Sequence, residues 1–152
     1  MIEILLLAAL ASPVAELPSY KGEVLKGLVA GLDSEELYRL EIIGVPARFE
    51  MPVGGTPEVL RQSYLFRVEI RNLNAVSCGK SFKKAVALLS LKKRRVRRTS
   101  DLRLSFIVSG RDGAKAISLH LDQNGTLIVG DSTGDGSGLL SWLERHLGEC
   151  YR

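Results

Sequence analysis

The chain carries few residues equipped for chemistry, and their spacing decides what each can do. His120 and His146 are its two histidines, Cys78 and Cys150 its two cysteines. No close His/Cys spacing links the four, so the sequence assembles no metal site. The cysteines suit one long-range disulfide in an exported chain, or two buried thiols otherwise. Cys78-Gly79-Lys80-Ser81 has the ending of a phosphate-binding loop, but the position of that motif's first glycine holds Asn74, so the backbone nest that grips phosphate is incomplete. A strand-to-helix loop with Lys80 as a surface base is the simpler reading. Asp131-Ser132-Thr133-Gly134-Asp135-Gly136 imitates the first half of a calcium loop, yet the bidentate acid needed at its twelfth position is Trp142. A flexible link with Ser137 capping the next helix accounts for this stretch. Ser105, His120 and Asp122 suggest a triad, but same-strand neighbours two apart stand about 7 Å from each other and project in parallel, too far for a direct Asp-His bond. No catalytic residue and no cofactor site is assigned, and a non-enzymatic role is the expectation.

The feature that rises above this background is charge. Ten Lys or Arg and no Asp or Glu occur from Ile70 through Ser100, whereas residues 1–80 hold ten acids against eight bases. The basic stretch spans 80–98 and peaks at Lys92, Lys93, Arg94, Arg95, Arg97 and Arg98. Such a run is normally solvated because its charges repel one another. It suits an acidic protein or an anionic surface as partner. The alternative is sequence-nonspecific contact with nucleic-acid phosphates through 92–98, although no zinc knuckle, aromatic-rich RNA-binding strand or GXXG loop accompanies it. A bare solvated connector and a nuclear-import signal are further readings. Arg97-Arg98-Thr99-Ser100 also suits a basophilic kinase, whose phosphate would offset part of the charge.

Elements must position these groups. Val24, Leu25, Leu28, Val29 and Leu32 recur at helical spacing, weakened by Gly22 and Gly27. Asp33-Ser34-Glu35-Glu36 offers a capping box for a second helical turn. Tyr38, Leu40 and Ile42 alternate with charges as a strand; Ala47, Phe49 and Met51 do so again, and a Gly/Pro-rich loop follows. Tyr64, Phe66, Val68 and Ile70 make one face of another strand. Phe82, Ala85, Val86 and Leu89 fit a helix, with a strand through Val86, Leu88 and Ser90 as the competing reading.

Turn chemistry and periodicity constrain the last third together. Leu102, Leu104, Phe106 and Val108 form one strand face leading into Asp112-Gly113, read as a two-residue loop that pairs Arg111 with Ala114. Continuing that register places Val108 opposite Ile117, Phe106 opposite Leu119 and Leu104 opposite Leu121, and a slip of one residue would break the match. A three-residue Gln123-Asn124-Gly125 loop, with Gly125 left-handed, pairs Leu121 with Leu127 and Leu119 with Val129. The opposite, solvent-facing side carries Arg103, Ser105, Ser118, His120, Asp122 and Thr126, with Arg103 facing Asp122. Leu139, Leu140, Leu143 and Leu147 make the stripe of a helix ending at Gly148. Asn124-Gly125-Thr126 is an N-glycosylation acceptor in a eukaryotic secretory route.

The expected fold is α+β: an antiparallel sheet whose C-terminal three-stranded meander packs against a terminal amphipathic helix. Residues 19–152 read as a single domain, and 152 residues with a formal charge of +4 suit one core. Residues 1–18 form an apolar segment that reads as a packed helix or strand, as a signal cleaved after Ala9-Leu10-Ala11, or as a partner-binding surface; Glu3 in the n-region argues against the signal. An intracellular location is the expectation, with a small secreted domain held by one disulfide as the alternative.

Overall fold

The computed structural model describes residues 20–45, 55–92, 101–113 and 115–151. Helix α1 (Gly22–Asp33) leads to β1 (Arg39–Gly44), α2 (Pro57–Ser63), β2 (Phe66–Ile70), α3 (Ser77–Ala87), β3 (Leu91–Lys92), β4 (Leu102–Ser109), β5 (Ala116–Asp122), β6 (Thr126–Val129), β7 (Ser132–Asp135) and α4 (Ser137–His146). The seven strands form one sheet in the order β2-β1-β4-β5-β6-β7-β3, and every pairing is antiparallel.

One sheet face carries the main core. Alternation along each strand sends Leu40, Ile42, Leu104, Phe106, Val108, Leu119, Leu121, Leu127 and Val129 to that face, where Leu25, Leu28 and Leu32 of α1, Phe82 and Val86 of α3, and Leu139 and Trp142 of α4 meet them. The meander packed on the terminal helix is as expected. Val108 lies opposite Ile117, Phe106 opposite Leu119, Leu104 opposite Leu121, and Leu121 opposite Leu127. Gly125 adopts φ +77°, and the Asp122 carboxylate accepts from the Asn124 and Thr126 amides at 2.8 and 2.9 Å, which fixes the turn. Leu140 and Leu143 pack at the edge of this core, while its aromatic centre is Trp142, edge-on to Phe82 with ring centroids 4.9 Å apart.

Several local expectations need correction. Pairing of β4 with β5 stops near Gly110, whose amide donates to the Lys115 carbonyl, and Arg111–Gly113 form a 3-10 turn in place of a two-residue loop. The meander register survives because the extra turn keeps the strands in phase. Leu102 does not share a face with Leu104. An irregularity between them sets Leu102, not Arg103, opposite Asp122, and Leu102 joins the apolar cluster on the other sheet face. Asp33–Glu36 end α1 rather than start a second helix: Ser34 donates its amide to Ala30, Glu35 turns through φ +64°, and Leu37 folds back onto Gly31. Asp131–Gly136 is no flexible link. Gly130, at φ +56°, turns the chain so that Ser132–Asp135 pairs with both β6 and β3, making the meander four strands long. Gly134 is required there, because a Cβ would overlap the Ser90 carbonyl oxygen. The final helix ends at His146 and continues as a 3-10 turn to Tyr151.

The region from Val86 to Ser90 resolves as helix followed by a short connection, since α3 runs through Ala87. The Gly/Pro-rich stretch before β2 contains α2, with Pro57 in its first turn and the Thr56 hydroxyl accepting from the Val59 amide at 3.2 Å. The strand expected over Ala47, Phe49 and Met51 and the apolar segment 1–18 lie outside the described residues.

Candidate functional site

The second sheet face is built differently from the first. At its outer end β1 and β2 carry a half-buried ion-pair ladder, Arg39 to Glu69 at 2.6 Å and Arg67 to Glu41 at 2.6 Å. The Arg39 hydrogen bond holds the Glu69 carboxyl below its usual range, and the Glu41 hydrogen bond raises the Arg67 guanidinium. Further along, α2 lays Leu60 over Ile43, Val45, Leu102 and Ile128 to form a small second core. This side was expected to face solvent. The helix hidden in the Gly/Pro-rich stretch covers part of it, so Ser105 is 2% exposed and Arg103 9%.

Ser105 Oγ lies 2.7 Å from His120 Nδ1 beneath this cover. Burial first, and then the Arg61 charge, push the His120 imidazole below its ordinary pKa, against a smaller opposing pull from Glu58. The pair has the geometry of a nucleophile and base, but a nucleophile has to be reached by substrate and Ser105 is enclosed. Asp122 serves the turn, where its Oδ1 accepts from the Asn124 and Thr126 amides. The arrangement satisfies two polar groups that would otherwise be buried unpaired. Beside it, Arg103 donates to Asp101 Oδ2 at 2.9 Å through Nε, and the second Asp101 oxygen accepts from the Gly55 amide at 2.6 Å.

The opposite face has a second polar-apolar junction between α3 and α4. Cys78, in the first turn of α3, is bonded to Cys150 in the C-terminal 3-10 turn. Trp142 Nε1 donates to the Cys78 carbonyl at 3.2 Å and to Ser81 Oγ at 3.0 Å, fixing the indole against the disulfide-bearing turn. The Gly-Lys-Ser sequence here is explained by packing. Gly79 lets α3 lie against Leu73, whose carbonyl oxygen a Cβ would overlap; Lys80 is exposed, and Ser81 donates to the Cys78 carbonyl at 2.9 Å. Alongside, a groove of about 410 Å³ opens between the helices, lined by Leu88, Leu89, Trp142, Ser141, Arg145 and Asp135 among others. Asp135 accepts from the Ser137 amide at 2.9 Å at the start of α4, and its hydrogen bonds to Ser137 hold it below the usual carboxylate range.

Of the residues expected to bind a partner, Lys92 ends β3, half-buried and opposite Thr133. Lys93, Arg94, Arg95, Arg97 and Arg98 lie outside the described residues, as do Thr99 and Ser100. Asn124 is exposed at its hairpin tip, and His146 Nδ1 lies 3.4 Å from Glu149. Among the described residues no group of three or more His, Cys, Asp or Glu is placed to hold a metal ion, and no helix is long and apolar enough to cross a membrane. Sequence reasoning missed α2 and the α3–α4 groove. Thr56-Pro57-Glu58 did signal a helix start, but only contacts between distant segments reveal the groove. Comparison with protein-family models, curated proteins and solved structures finds no match to this chain.

Proposed function

We propose that this chain is a binding domain of an oxidising compartment, and that its basic region from α3 through Arg98 engages an acidic protein or anionic surface. The Cys78–Cys150 disulfide carries the reading. Such bonds form and persist in secreted and other oxidising settings and are uncommon where thiols are kept reduced. This favours the small secreted domain over the intracellular one expected from sequence. Closing a loop across 72 residues supplies roughly 4 kcal/mol in the chain-entropy account. The charge distribution supports the partner class: Lys80, Lys83, Lys84 and the run Lys92–Arg98 are uninterrupted by any acid.

Two measurements test the reading. Protein recovered from its native host under alkylating conditions should leave both cysteines unmodified until reduced; two alkylated thiols in freshly isolated protein would remove the oxidising-compartment assignment. Replacing Arg94, Arg95, Arg97 and Arg98 with Gln should abolish retention on anionic vesicles or on an acidic protein while leaving thermal unfolding unchanged. Preferential binding of duplex DNA, with four phosphate contacts contributing a slope of about −3.6 in log affinity against log salt, would support the nucleic-acid alternative in its place.

A further inference from the structure

We infer that the outer edge of β2 is a self-association surface, on which a second copy of this chain lays its own β2 antiparallel to the first. This goes beyond the reading above and does not depend on it. The sheet has two edges, and they end differently. At the β3 edge the Tyr20 amide donates to the Leu91 carbonyl at 2.8 Å and the Leu91 amide returns a bond at 2.6 Å, so that edge is already met within the chain. At the other edge, β2 pairs among the described residues with β1 alone. The Val45 amide donates to the Arg103 carbonyl at 2.9 Å, and in an antiparallel ladder this commits the backbone of the odd-numbered β1 residues to β4 and of the even-numbered ones to β2. Leu40, Ile42 and Gly44 therefore bond Ile70, Val68 and Phe66, which leaves the backbone of Arg67 and Glu69 directed away from the sheet.

An open edge invites any extended chain, and charged side chains ordinarily discourage the pairing. Here the charges select one partner. Phe66-Arg67-Val68-Glu69-Ile70 reads apolar, basic, apolar, acidic, apolar, so the strand is complementary to itself when reversed. A two-fold axis at Val68 sets Arg67 opposite Glu69 of the partner subunit and Glu69 opposite the partner's Arg67, and the outward amides and carbonyls of both residues meet their counterparts. Phe66 then faces the partner's Ile70, and Val68 faces the partner's Val68. The Arg39–Glu69 and Arg67–Glu41 pairs become the two halves of one ladder running across both copies. A register centred on Arg67 or on Glu69 would instead oppose like charges, which is destabilising. Apolar surface lies at the same edge: Tyr64 and Leu65, 41% and 59% exposed, stand together just before β2, and the axis at Val68 brings Leu65 to the aliphatic stem of the partner's Arg71.

Sedimentation of the full-length, oxidised protein at about 0.1 mM should show a species of twice the 16.6 kDa chain mass. Arg67→Glu and Glu69→Arg each place like charges across the axis, and each should weaken self-association at least about tenfold with the circular dichroism spectrum unchanged. The two variants are complementary to one another. Mixed in equal amounts they again oppose unlike charges at both positions and should recover the dimer, which a folding defect would not permit. A wild type that stays monomeric at this concentration, variants that dimerise as the wild type does, or a mixture no more associated than its parts would each overturn the β2 edge as the self-association surface.

Discussion

The two faces of the sheet solve the same packing problem with different materials. On the first, three helices close over side chains that are almost all aliphatic or aromatic, with Phe82, Phe106 and Trp142 in mutual contact. On the second, one short helix lays Leu60 over four buried apolar residues and leaves Ser105, His120 and Arg103 to find polar partners beneath it or at its margin. The first face depends on area and shape, which tolerate small changes in charge. The second depends on specific hydrogen bonds, and losing one partner leaves the other buried unpaired.

Substitutions that separate the faces should differ in size. Phe106→Ala removes a fully buried ring from beside Phe82 and Trp142 and should cost about 3–5 kcal/mol, measured by denaturant unfolding. A loss below about 0.5 kcal/mol would mean that the aromatic cluster is not the centre of the fold. Leu60→Ala on the second face should cost less, about 2–3 kcal/mol, because the exposed flank of α2 lets the site collapse around the deletion. Its unfolding should show in proteolysis near α2 before the remainder of the domain is cut. Equal cost at the two positions would dissolve the distinction.

The same contrast explains what could be read in advance. The register from Leu104 to Val129 was legible because one strict period of two and two turn signals had to agree, and only one alignment puts all the apolar residues on a common face. Leu102 was not, because an irregularity between it and Leu104 breaks the period locally without changing the hydrophobic pattern. His120 was placed correctly beside Ser105, but its burial depends on α2, which reaches it from some sixty residues earlier in the chain. Strand β7 was hidden for a different reason. Ser132-Thr133-Gly134-Asp135 has the composition of a loop, and it is a strand because β6 and β3 satisfy its backbone from both sides. The groove had no sequence signature at all, since its walls come from helices joined only through the tertiary fold and the Cys78–Cys150 bond.

The smallest expected effect is also the most specific to the second face. His120 is held below its ordinary pKa when folded, chiefly by burial and then by Arg61 with Glu58 opposing, whereas in the unfolded chain it titrates near the usual value of about 6.5. Between about pH 6.5 and the lower folded value the unfolded chain binds more protons, so stability should fall as pH falls through that window and level off below it. Asp135 and Glu69 have depressed folded values too, but they act later in an acid titration, their contribution being lost as pH falls below about 4. Urea midpoints measured from pH 7.5 down to pH 5 should therefore decline in the wild type. His120→Asn, which keeps a hydrogen-bonding partner beside Ser105 and removes the titration, should lower the midpoint at pH 7.5 and flatten its pH dependence. A variant that declines in parallel with the wild type would assign the slope to groups elsewhere and leave the Ser105–His120 pair with packing as its whole role.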